Sequence, residues 1–239
     1  MQAIFKRDLS AYFTSAIGYV YIGSYILVLN LYFYVVNILG ASMSLAGIFG
    51  FMLTVMMFVT PILTMRVFSE DFKQKTDQLL LTAPVTSAAI VLGKFFSSFA
   101  VFCTLLVLTM LWPIVMSMFG GFNLDEVVGN YIGMIGIGAA YISIGVFVSA
   151  LTENQVIAAI GSLAIFIALW ILEMVGMFFS ASGVLPEFVM QIFLFISIFG
   201  RYGDITRGLL ALDTIVFFIS VCAFFLFLTT RVIEKRRRG

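Results

Sequence analysis

Few residues in this sequence have the type and spacing to do chemistry. There is no histidine, which removes the commonest metal ligand and the usual proton shuttle at neutral pH. Hydrolytic triads therefore lack their ordinary base. The one Gly-Lys pair, Gly93-Lys94, fails as a phosphate-binding loop. Ala88 stands where G-x-x-x-x-G-K-[ST] needs its first glycine, and Phe95 follows the lysine. The carboxylates are scattered through the chain rather than gathered at metal-ligand spacing, so neither a metal nor a catalytic centre is expected. Cys103 and Cys222 lie inside apolar runs without partner spacing, as small packing residues do.

What remains is one polar interval, residues 66–84, reading RVFSEDFKQKTDQLLLTAP. Phe68 and Phe72 are four apart, one helical turn. Thr76 is a candidate N-cap, and Asp77 places negative charge where a helix N-terminus favours it. Leu79, Leu80 and Leu81 follow, and Pro84 keeps that helix from running on. The interval reads as a short cytoplasmic helix-turn-helix held against a membrane; an ordinary basic loop accounts for the same residues.

The elements that must position this interval are set by composition. The chain is 62% hydrophobic and 10% charged, against about 45–50% and 25% in soluble domains. Lipid must therefore solvate much of it. No charged residue occurs between Asp8 and Arg66, room for an interfacial segment and two spans, with Asn37, Gly40, Ser42 and Ser44 marking the turn. Six spans are expected, at about 19–39, 45–65, 95–118, 128–151, 156–178 and 214–230. Asp125 and Glu126 fall in a loop before the fourth, and residues 152–155 make a polar turn before the fifth. Ahead of the first span, Phe5, Leu9, Tyr12, Phe13 and Ala16 recur at helical spacing, and residues 1–17 read as an amphipathic helix lying in the headgroup region. The uncharged run 188–200 is too short to cross and reads as a re-entrant or interfacial element. No cleavable signal peptide is expected, because Tyr12, Thr14 and Ser15 interrupt any h-region. With both ends in the cytoplasm, eleven of the thirteen Lys and Arg lie inside and only Arg201 and Arg207 outside, as the positive-inside rule requires.

The string from Glu70 and Asp71 through Thr76, Leu80, Leu81 and Pro84 to Val85, followed by Gly93-Lys94, resembles the cytoplasmic loop of ABC-2 type permeases. The usual form there is an acidic-basic cluster, Gly-Thr-x-Glu-x-Leu-Leu-x-x-Pro, then Gly-Lys opening the third span. This chain has Lys75 where glycine is common and Gln78 where glutamate is common. Residues 199–208, with Gly200, Arg201, Tyr202, Gly203 and Asp204, resemble the branch containing gliding-motility permeases and those of nitrous-oxide-reductase maturation. The resemblance implies a single all-α transmembrane domain over residues 1–239 in a bacterial cytoplasmic membrane. It also implies an ATPase-coupling helix bearing Glu70, Asp71, Phe72, Thr76, Asp77, Leu79, Leu80 and Pro84, with a second contact at Glu153 and Asn154. ATP and magnesium would belong to a separate ABC ATPase subunit. A second permease subunit, identical or related, would complete the path, with an extracytoplasmic accessory protein as a further partner and no role for nucleic acid. Substrate export is the expected direction.

Three features keep two readings each. Gly129, Gly133, Gly136 and Ala140 form a small-residue stripe, for packing within the subunit or for a dimer seam. Glu173 lies about 26 Å along the fifth span, where it reaches outer headgroups or serves as a buried functional carboxylate. Arg201, Asp204 and Arg207 pair among themselves, or form an outer gate or partner contact. Phe72, Leu79 and Leu80 are expected to form an apolar knob for the ATPase. A non-transporting membrane anchor for an ATPase-driven envelope machine would show the same contacts. An ATP-independent carrier fits less well, since broken helices, repeats and mid-membrane charge are not evident.

Overall fold

The computed structural model describes residues 1–40, 45–76, 78, 85–118, 124–182, 200, 202 and 212–238. Every regular element among them is helical. The order is α1 (Gln2–Thr14), α2 (Ala16–Tyr32) with a π-helical extension (Phe33–Leu39), α3 (Ala46–Thr64), α4 (Ser69–Lys73), α5 (Ser87–Thr109), α6 (Leu111–Met118), α7 (Leu124–Leu151), α8 (Gln155–Ser182) and α9 (Leu212–Arg238). Six helices among the described residues are long and apolar enough to cross a membrane: extended α2, α3, α5 continued by α6, α7, α8 and α9. This bears out the expected number of spans.

Several boundaries differ for identifiable reasons. The third span starts at Ser87 rather than near 95 because the Thr86 hydroxyl accepts the Ala89 N–H and caps the helix. It breaks at Met110, three residues before Pro113, whose ring opposes a continuous helix. Asp125 and Glu126, expected in a loop, fall inside the first turn of α7; an acidic residue such as Asp125 suits the helix dipole there. The last helix does not stop near 230 but carries the basic tail on to Arg238. Of the region between the fifth and sixth spans, only Gly200 and Tyr202 lie within the described residues, so the expected re-entrant element falls outside them.

α3 and α7 form the buried middle of the bundle. Their neighbours approach closely because glycines leave room. A Cβ at Gly138 would sit 2.0 Å from the Phe102 ring of α5, and one at Gly145 would sit 2.2 Å from Thr64 Oγ1 of α3. Of the small-residue stripe, Gly129, Gly133 and Ala140 are buried within the single subunit and Gly136 meets Phe218 of α9, which favours packing over a dimer seam. Three polar side chains bridge neighbouring helices, as an apolar solvent favours. The Tyr25 hydroxyl donates to the Met52 carbonyl at 2.9 Å, Trp112 Nε1 to Asn30 Oδ1 at 2.8 Å, and the Tyr202 hydroxyl to Asn130 Oδ1 at 2.7 Å. Glu173 is half-buried, with one carboxylate oxygen closed off from the surface.

Candidate coupling site

The polar interval begins with α4, only five residues long. So short a helix is marginal alone and must be held at both ends. Its start is held from another helix: Ser149 Oγ of α7 accepts the N–H groups of Phe68 (3.0 Å) and Ser69 (3.2 Å) and donates to the Met65 carbonyl (3.1 Å). A serine distant in sequence thus does the work of an N-cap. The other end closes by a Schellman pattern, with Thr76 N–H donating to the Asp71 carbonyl and Lys75 N–H to that of Phe72. Lys75 is left-handed, at φ 56°. The resemblance drawn from the sequence has glycine at this position, and a left-handed backbone is what glycine adopts most readily. The Thr76 hydroxyl donates back to Asp71 Oδ1 at 2.9 Å, closing this turn. The helix it was expected to cap lies outside the described residues.

Next to α4 is a cluster of four charges. Lys94 of α5 is 3% exposed, and its Nζ lies 3.1 Å from Asp8 Oδ2 of α1 and 2.6 Å from Asp71 Oδ2 of α4. It also donates to the Val67 carbonyl at 2.6 Å and faces the Phe68 ring at 5.2 Å. Arg7 completes the set, 2.7 Å from Asp8 and 3.5 Å from Asp71. Burial pulls the Arg7 guanidinium down, but Asp8 and Asp71 outweigh it and hold it above its ordinary range. Two cations face two anions, so the group is neutral as a whole and can be sheltered from water. Beside it Arg66 pairs with Glu70 one turn on, and Gln74 Nε2 also donates to Glu70. The cluster lines a cleft of about 290 Å³ between α1, α4 and α5. Tyr12 ties α1 down further, donating to the Leu63 carbonyl at 2.9 Å.

One expected feature is corrected. Phe72 is not part of an exposed apolar knob: it is 5% exposed, stacked on Phe68, with the Arg236 guanidinium 3.9 Å above its ring. The residues that the end of α4 and its closing turn expose are polar, namely Lys73, Gln74 and Lys75. The second expected contact lies at the same end of the bundle. Glu153 is exposed and pairs with Arg236 at 3.5 Å, while Asn154 Oδ1 accepts the Val156 N–H at 2.9 Å and caps α8. Asp77, Leu79, Leu80 and Pro84 lie outside the described residues, as do Arg201, Asp204 and Arg207. Sequence reasoning missed Asp8, Ser149 and Arg236 as site residues. Asp8 looked like a flanking charge and Ser149 like one more small residue in an apolar run. Arg236 belonged to a basic tail that orientation alone accounted for.

Six helices among the described residues, each long and apolar enough to cross a bilayer, define a multi-pass membrane protein. Residues 12–236 match the model of the ABC-2 family transporter protein. The chain belongs to that family, and it is a membrane permease subunit of an ABC transporter, a transport rather than a catalytic component. No curated protein matches it.

Proposed function

We propose that this chain is half of an exporter whose α4 and 152–154 turn receive a separate ABC ATPase. One observation carries the reading: the exposed turn of α4 is joined to three spanning or membrane-bound helices at once. Lys94 and Asp8 join it to α5 and α1, and Ser149 joins it to α7. A force applied at Lys73–Lys75 is therefore delivered to the bundle rather than absorbed by a loop. ATP and magnesium belong to the partner, whose closure pushes α4. A second permease subunit completes the path, and the many phenylalanines (27) suit a dry route for apolar or amphiphilic cargo. Leu79, Leu80 and Pro84 complete the docking segment, with both chain ends in the cytoplasm. α1 lies along the headgroups, its Ile4 and Tyr12 turned to the bundle. Arg201, Asp204 and Arg207 meet an extracytoplasmic accessory protein, as in the gliding-motility and nitrous-oxide-reductase-maturation branch.

Purified under mild conditions from its native host, the chain should bring down a P-loop protein in about equal amount, and alone it should hydrolyse no ATP. Recovery without such a partner sinks the reading. In complexes reconstituted into sealed proteoliposomes, ATP-driven movement of cargo across the bilayer separates a transporter from a mere anchor.

A further inference from the structure

The basic end of α9 reaches back across the face where the coupling residues lie. Arg236 covers the Phe72 ring at 3.9 Å and its Nη1 lies 3.5 Å from Glu153 Oε1. Arg237 Nη1 donates to the Val85 carbonyl at 3.0 Å, on the far side of the polar interval. Two adjacent arginines thus touch α4, the entry to α5 and the turn between α7 and α8. Arg231, one and a half turns earlier, behaves differently: it pairs with Glu234 at 3.3 Å and faces Phe227 at 5.0 Å, both on its own helix.

We infer that Arg236 and Arg237 form a clasp that fixes the two ATPase contacts as one surface, with Arg236 the positioning residue. A planar guanidinium fits this task. One face lies on an aromatic ring while its edge donates to a carboxylate, which an ammonium does less well. The clasp also makes α9 the element that senses α4. If α4 is pushed, the ring moves under Arg236, and the sixth span receives the displacement without any contact of its own with the partner. A short basic end thereby gains a task that charge balance across the membrane does not require.

The inference rests on the proposed ATPase contact, so its test has one arm that needs no ATPase. In nanodiscs, amide exchange is followed at Phe72, Gln74, Lys75 and Thr76 of the full chain. Arg236→Ala should speed exchange there about tenfold, Arg236→Lys should restore part of the protection, and Arg231→Ala, with the same loss of charge, should change it less than twofold. Equal exchange in the Arg236→Ala and Arg231→Ala chains overturns the clasp. In the second arm, the ATPase that co-purifies with the chain is titrated against each variant. Arg236→Ala should weaken its binding about fivefold, with Lys partly restoring it and Arg231→Ala silent. Faster exchange with unchanged ATPase affinity overturns the positioning role. Failure of the wild-type chain to bind any ATPase overturns the functional reading instead, and the exchange arm still decides the clasp.

Discussion

Replacing Lys94 by methionine tests whether the four-charge cluster holds α4. The change keeps most of the side-chain volume but leaves Asp8 and Asp71 facing each other, with side chains only 14% and 16% exposed. Removing one partner of a buried pair costs about 3–5 kcal/mol. Here Arg7 stays within 3.5 Å of Asp71 and some water reaches both carboxylates, so about 2–3 kcal/mol is expected, again on the scale of broken buried pairs. The double variant Lys94→Met, Asp71→Asn leaves Arg7 paired with Asp8 at 2.7 Å, so the cluster is neutral again and more than half of that loss should be recovered. Thermal unfolding in nanodiscs gives the stability ranking, and exchange at Phe72–Thr76 localises the damage. ATPase stimulation in the reconstituted complex should fall in both variants, because each severs α4 from α5. A single variant as stable as wild type, or a double variant worse than the single one, would show that the cluster does not carry α4.

Two further outcomes are expected. Ser149→Ala strands the N–H groups of Phe68 and Ser69 and should cost about 1–2 kcal/mol, seen as faster amide exchange at α4 with the rest of α7 unchanged. Lys75→Gly relieves a left-handed residue and should gain about 0.5–1 kcal/mol net of glycine's own entropy, read as a higher unfolding temperature. A loss there would mean the lysine side chain contributes more than its backbone strain removes.

The spans were legible because an uncharged run of bilayer length is at home in lipid and costly in water. Their ends were not. Thr86 starts α5 inside what reads as a polar loop, and α9 continues as a helix after leaving its apolar stretch. The polar interval was visible as the one polar island in the first half of the chain, and the glycine-like position of Lys75 was visible by resemblance. Its exposure was not. Phe72 amid charges reads with Leu79 and Leu80 as an apolar knob until Arg236 is known to cover its ring. That cover comes from the far end of the chain, and no local pattern announces it. Ser149 was hidden for the same reason, since its partners are backbone groups that leave no mark in composition.

Lys94 also has a place in time. Ribosomes deliver this chain from the N-terminus, so Asp8 and Asp71 enter the membrane surface before the cation that neutralises them. Until the third helix arrives, Arg7 alone serves both carboxylates. The ion cluster can close only when α5 has inserted with its lysine at the same side as α1 and α4. A nascent chain whose third helix enters inverted carries Lys94 to the opposite face and leaves two carboxylates open beside a half-formed bundle. Closure of the cluster is therefore open only to a chain with its third span correctly threaded, and it can come before the last three spans exist.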